Sequence, residues 1–148
     1  MTAPQPQRST GRSVGAIIAG LVVGLVLTLG TDAILHVVGF FPPYDQVASN
    51  ASLAVATLYR FIYSVLGSYV GARLAPNRPM RHAMLLGLLN LAASLIGAVV
   101  TWNRGAQFGP HWYPVSLVVL ALPAAWIGGR LYTSGRRDWS ATREFFAR

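Results

Sequence analysis

The sequence contains no cysteine and no lysine, and only 4 acidic residues among 148. The lack of cysteine excludes disulfides, a thiolate nucleophile, a cysteine-based zinc site and a lipoprotein anchor. The lack of lysine excludes a Schiff base and a lysine general base. All 12 basic residues are arginine, which fits GC-rich codon use and a bacterial source. Charged residues make up only 11% of the chain, where a soluble domain carries about 25%. Catalytic signatures are missing too: there is no HExxH, GxSxG, phosphate loop or pair of acids, so no enzymatic chemistry is expected.

What is present is apolar. Hydrophobic residues make up 53% of the chain, and they gather in four runs, at about 13–40, 51–72, 82–102 and 112–131. Each is near or above the roughly 20 residues needed to cross about 30 Å of hydrocarbon. The turn-forming stretches "FFPPYD", "APNRPMR" and "NRGAQFGPHWYP" separate them. The reading is all-α: a polytopic membrane protein built as a four-helix bundle. The first run is too long for the apolar core of a signal peptide, and no small-x-small site closes it, so an uncleaved helix is expected. Residues 1–12, rich in Pro, Gln, Ser and Thr, read as a disordered tail. Residues 133–148 read as a basic tail, either solvated or folded as a short amphipathic helix on an anionic leaflet.

The arginines give the orientation. Arg8, Arg12, Arg73, Arg78, Arg81, Arg130, Arg136, Arg137, Arg143 and Arg148 all fall on one side of the four runs, and Arg104 alone on the other. The excess of positive charge marks the cytoplasmic side. Both termini are therefore expected in the cytoplasm of a cell whose inner membrane the chain spans. The net charge of +8 is thereby explained by topology, and no nucleic-acid partner is expected. The bilayer itself is the expected partner.

Helices in lipid associate through small residues and buried polar contacts. Gly20 and Gly24 form a GxxxG in the first run, and Gly67 and Gly71 a second one. Gly97 lies on a stripe with Asn90 and Ser94, and Gly128 on one with Ala121 and Ala124. These stripes suit packing within the chain, a homo-oligomer or docking into a larger membrane complex. "SYVGARL" at 68–74 and "AWIGGRL" at 125–131 also match weakly, as a duplicated helical hairpin would.

Two charges break the apolar pattern. Arg60 lies about nine residues into the second run, ~13 Å deep, and Asp32 about eight residues from the end of the first, ~12 Å deep. A guanidinium at such depth costs at least about 2.5–3.5 kcal/mol. The expected resolution is a buried Asp32–Arg60 ion pair, with His36 one turn away and Tyr59, Tyr63 or Asn90 as further partners. A permanently charged partner suits a packing lock better than a proton carrier. The alternative is a small oligomeric transporter or channel using Asp32, His36 and Arg60 as an ion or substrate site. Asp32, His36 and the distant His111 make a poor ligand set, so neither a metal nor another cofactor is expected.

The run "YRFIYSVLGSYVGARLAP", then "RPMRHAMLLGLLNLAASLIGAVVTWN" and "FGPHWYPVSLVVLALPAAWIGGRL", resembles small uncharacterised bacterial four-helix inner-membrane proteins. The resemblance covers about residues 55–132. It implies an inner-membrane address and four spans, and no activity or functional residues.

Overall fold

The computed structural model describes residues 10–43, 46–105 and 108–146, with side chains described as far as Arg136. It is all-helical: α1 (Thr10–Val37), α2 (Asn50–Leu74), α3 (Pro79–Thr101) and α4 (Trp112–Phe146). All four contain stretches long and apolar enough to cross a membrane.

The helix ends follow from local chemistry. α1 stops at Val37, and Gly39 takes a φ of +75° that a side chain would resist. The Phe40 and Phe41 amides then turn back to donate to the Leu35 carbonyl. The first apolar run therefore overestimates its helix: 38–40 form the turn. α2 begins at the cap Ser49, whose hydroxyl accepts from the Ser52 amide at 3.1 Å. α3 starts on Pro79, where a missing N–H costs nothing. α4 continues through Pro123 without ending there.

The tails differ from their expected form. Thr10, Gly11 and Arg12 already belong to α1, so the helix begins inside the segment expected to be disordered; residues 1–9 lie outside the described ones. At the other end α4 runs unbroken to Phe146, in place of a separate short helix after 133. No proline follows Pro123 to interrupt it.

Glycine contacts define the register. Gly20 faces Gly67, and Gly24 faces the Tyr63 carbonyl, so α1 and α2 are antiparallel. Gly128 abuts Val65, Ser68 and Tyr69, which with the Thr57–Ser116 contact makes α2 and α4 parallel. Gly87 abuts Ala125, and Gly129 abuts Met80 and Ala83, so α3 and α4 are antiparallel. α2 packs on all three other helices.

This is close packing of small residues. Ala16, Ala56, Ala72, Ala83, Ala121, Ala124 and Ala125 are buried, whereas Leu25, Val26, Ile96, Val99 and Val119 are more than half-exposed. A water-soluble bundle would bury the latter set. Of the glycines expected to pack helices, Gly20, Gly24, Gly67, Gly71 and Gly128 all meet another helix. Gly97 does not: a methyl group there would touch nothing within 4 Å. The reason is a divergence of α1 and α3. They meet where Leu86 fills the space opposite Gly20 and Gly71, and by Gly97 no helix covers that face of α3. Gly87 and Gly129 do the packing that the α3 stripe did not reveal.

Candidate functional site

Asp32 comes from the last turns of α1 and Arg60 from the middle of α2. Extending the Gly20–Gly67 and Gly24–Tyr63 register puts Asp32 opposite Val55, so Arg60 starts five residues deeper, about 7.5 Å at 1.5 Å per residue. The two charges are thus not level along the backbone, as counting from the ends of the runs implies. They still meet. Helical side chains lean toward their own N-terminus, so in an antiparallel pair Asp32 leans inward and Arg60 outward. Arg60 Nη2 donates to Asp32 Oδ2 at 2.6 Å.

Tyr59 completes the carboxylate. Its hydroxyl donates to Asp32 Oδ1, so each oxygen of Asp32 has its own donor. Tyr59 is buried and packs with Phe41 and Ala56, bordered by Leu35, Tyr63 and Tyr113. Tyr113 at the start of α4 sets its ring 6.0 Å from the Arg60 guanidinium carbon, at the outer reach of a cation–π contact. Three helices thus converge on one ion pair. The side chain of Asp32 is 19% exposed and that of Arg60 32%. Arg60 Nε is buried and finds no acceptor among the described residues. Tyr59→Phe removes one donor from a carboxylate with little access to water; a loss of about 1–3 kcal/mol is expected, read as a lower melting temperature in detergent with the helical circular dichroism unchanged.

The other expected members of the cluster are placed apart from the pair. The Tyr63 hydroxyl bonds the Thr31 hydroxyl at 2.9 Å, not the carboxylate. Asn90 donates from Nδ2 to Ser64 Oγ at 3.3 Å, one turn further into the bundle. His36 donates from Nδ1 to the carbonyl of Asp32 at 2.8 Å, so it meets the backbone of that residue. His111 stacks on Trp102 with ring centroids 4.3 Å apart, and its Nε2 donates to the Trp102 carbonyl at 3.0 Å. Both histidines thus have ring nitrogens engaged with main chain, and no group of three metal-binding side chains occurs among the described residues. Tyr59 adjoins Arg60, so adjacency alone is the sequence signal for it. Thr31 beside Asp32 carries no signal of its role until the α1–α2 register is known.

An all-helical chain with four helices long and apolar enough to span a membrane is the class these features define. Comparison with known proteins finds no matching family model, curated protein or solved structure.

Proposed function

We propose that the chain is a multi-pass protein of a bacterial inner membrane, both termini cytoplasmic, serving as a non-enzymatic scaffold or accessory subunit. The Asp32–Arg60 pair acts in it as a packing lock. One observation carries the lock reading: Asp32 has a separate donor on each oxygen, Arg60 on one and Tyr59 on the other. A carboxylate engaged on both sides fixes the rotation of α1 against α2. The alanine-lined interior beneath exposed leucine and valine supports the membrane address. The arginine distribution supports the orientation, and arginine without lysine supports the bacterial source.

The cysteine-free sequence is itself the background for a topology test. Asn77→Cys, in the α2–α3 connection, should resist a membrane-impermeant maleimide on intact cells and react after permeabilisation. Asn103→Cys, after α3, should react on intact cells. The reverse pattern sinks the orientation, and labelling of both without permeabilisation sinks the spanning assignment.

A second reading, a small transporter, draws on the partial exposure of Arg60, 32% despite its pairing. Proteoliposomes separate the two. The scaffold reading expects an imposed pH gradient to decay no faster than in empty vesicles. Decay that is faster and lost in Asp32→Asn would replace the lock with a transport site.

A further inference from the structure

Between the helices lies a cavity of about 280 Å³ whose walls come from α1, α2, α3 and α4. Leu86, in the space opposite Gly20 and Gly71, closes its end nearest the chain termini. Thr28, Thr57 and Arg60 stand at the other end. The cavity exists because α1 and α3 touch at Gly20–Leu86 and then part, the same divergence that leaves Gly97 bare. A cavity of about 150 Å³ accommodates a benzene ring, so this one of about 280 Å³ has room for roughly a dozen heavy atoms.

The lining is chemically uneven. Leu21 and Leu25 on one side and Leu117 and Leu120 on another make it mainly apolar. Its hydrogen-bonding groups are few, as in small-molecule sites generally. Thr28 and Ser94 line it and make no side-chain hydrogen bond among the described residues. Arg60 lines it as well, while Asp32 and the Tyr59 that donates to Asp32 stand outside the wall. The cavity therefore meets the cation of the pair with the anion behind it, and no acid lines it. Arg60 has donor capacity to spare, since Nη2 serves Asp32 while Nη1 makes no hydrogen bond among the described residues.

We propose that this cavity binds an anionic amphiphile: a carboxylate or phosphate oxygen held at the Arg60 end and an apolar tail lying toward Leu86. A cation would face Arg60 with no acid to receive it. A wholly apolar guest would cover the Arg60 and Ser94 donors and leave them unmet, which costs free energy. An anion with an apolar tail satisfies both ends, and the guanidinium matches carboxylate and phosphate oxygens in shape as well as charge. The site rests on the membrane address proposed above, and it is independent of whether the pair is a lock or part of a transporter.

The test uses the full chain in lipid nanodiscs, with decanoate carrying a terminal fluorine label followed by fluorine NMR and empty discs as the background. Saturable binding to the wild type is expected. Decanol, the same tail without the charge, should bind at least about tenfold more weakly, a difference of ~1.4 kcal/mol. Ser94→Phe places a ring in the cavity without touching the ion pair and should abolish saturable binding. Leu88→Phe, on the exposed side of the same helix, should leave it intact. Equal binding of decanol and decanoate overturns the anion assignment. Unchanged binding to a folded Ser94→Phe overturns the location, and decanol needs no variant at all should Ser94→Phe fail to fold. Discs of phosphatidylcholine alone and discs with added phosphatidylglycerol separate the sources. If the anionic lipid competes with decanoate, the natural occupant is a bilayer lipid; if it does not, the occupant is a free amphiphile. A chain that fails to enter the discs removes the membrane address and this site together, whereas one that enters and binds nothing removes the site alone.

Discussion

Asp32→Ala is expected to lower the stability of the bundle in detergent by about 3–5 kcal/mol, and Arg60→Ala by a similar amount. Each leaves one charge without its partner between helices. For Asp32→Ala the orphan is Arg60, already short of an acceptor at Nε, and it loses its 2.6 Å bond to Asp32 Oδ2. For Arg60→Ala the orphan is a carboxylate with only the Tyr59 hydroxyl remaining. The double variant removes both charges, and a net worth near zero is usual for such pairs. It should therefore recover much of the loss, which requires a coupling between the two positions larger than either single loss, at least about 3 kcal/mol. Melting temperatures of the four proteins in one detergent measure this. An Asp32→Ala protein as stable as the wild type would end the lock reading, and an additive double variant would mean that the two residues act separately.

The second large effect belongs to the α1–α2 contact. Gly20 and Gly67 face each other so closely that a methyl group on either would stand 2.6 Å from the carbonyl oxygen of the other. Backbone cannot rotate out of the way as a side chain does, so the helices must separate. Gly67→Ala is expected to cost about 1–3 kcal/mol as overpacking, and Gly67→Leu to disrupt the pair. Separation there also moves Asp32 away from Arg60, because both depend on the same register. Gly97→Ala is the matched control, with nothing within 4 Å of the added methyl. It should be neutral or stabilising by up to about 1 kcal/mol, the helix-propensity difference between the two residues. Of the two alanine variants, only Gly67→Ala melts lower than the wild type if the register is right. Equal losses at both positions would mean that Gly97 is covered by another chain.

The contrast between Gly67 and Gly97 shows how much of this molecule is legible in its amino acids. Both sit in small-residue stripes at helical spacing, and both were expected at a packing face. Spacing identifies which residues share a side of a helix. It carries no information about whether another helix stays alongside for the whole length, and α1 leaves α3 after the Leu86 contact. The cavity has the same origin and the same invisibility in the sequence.

The site divides similarly. That Asp32 and Arg60 should meet follows from desolvation: two isolated charges in long apolar runs on adjacent antiparallel helices have few other ways to be satisfied. Which neighbours join them does not follow. Tyr59, Tyr63 and Asn90 are all within reach by spacing, and they are distributed to Asp32, Thr31 and Ser64 respectively. Successive helical residues point about 100° apart, so a small change in helix rotation reassigns each hydroxyl.

By itself, then, the sequence determined four long apolar helices, their turns, and one acid–base pair on the first two. These depend on run length, hydropathy and the cost of unpaired charge, all of which are local or nearly so. The tertiary structure alone decided the five-residue offset between Asp32 and Arg60, the donor on the second carboxylate oxygen, and the parting of α1 from α3. Those depend on how closely particular glycines let two backbones approach, which is a property of the pair of helices in contact and of neither one alone.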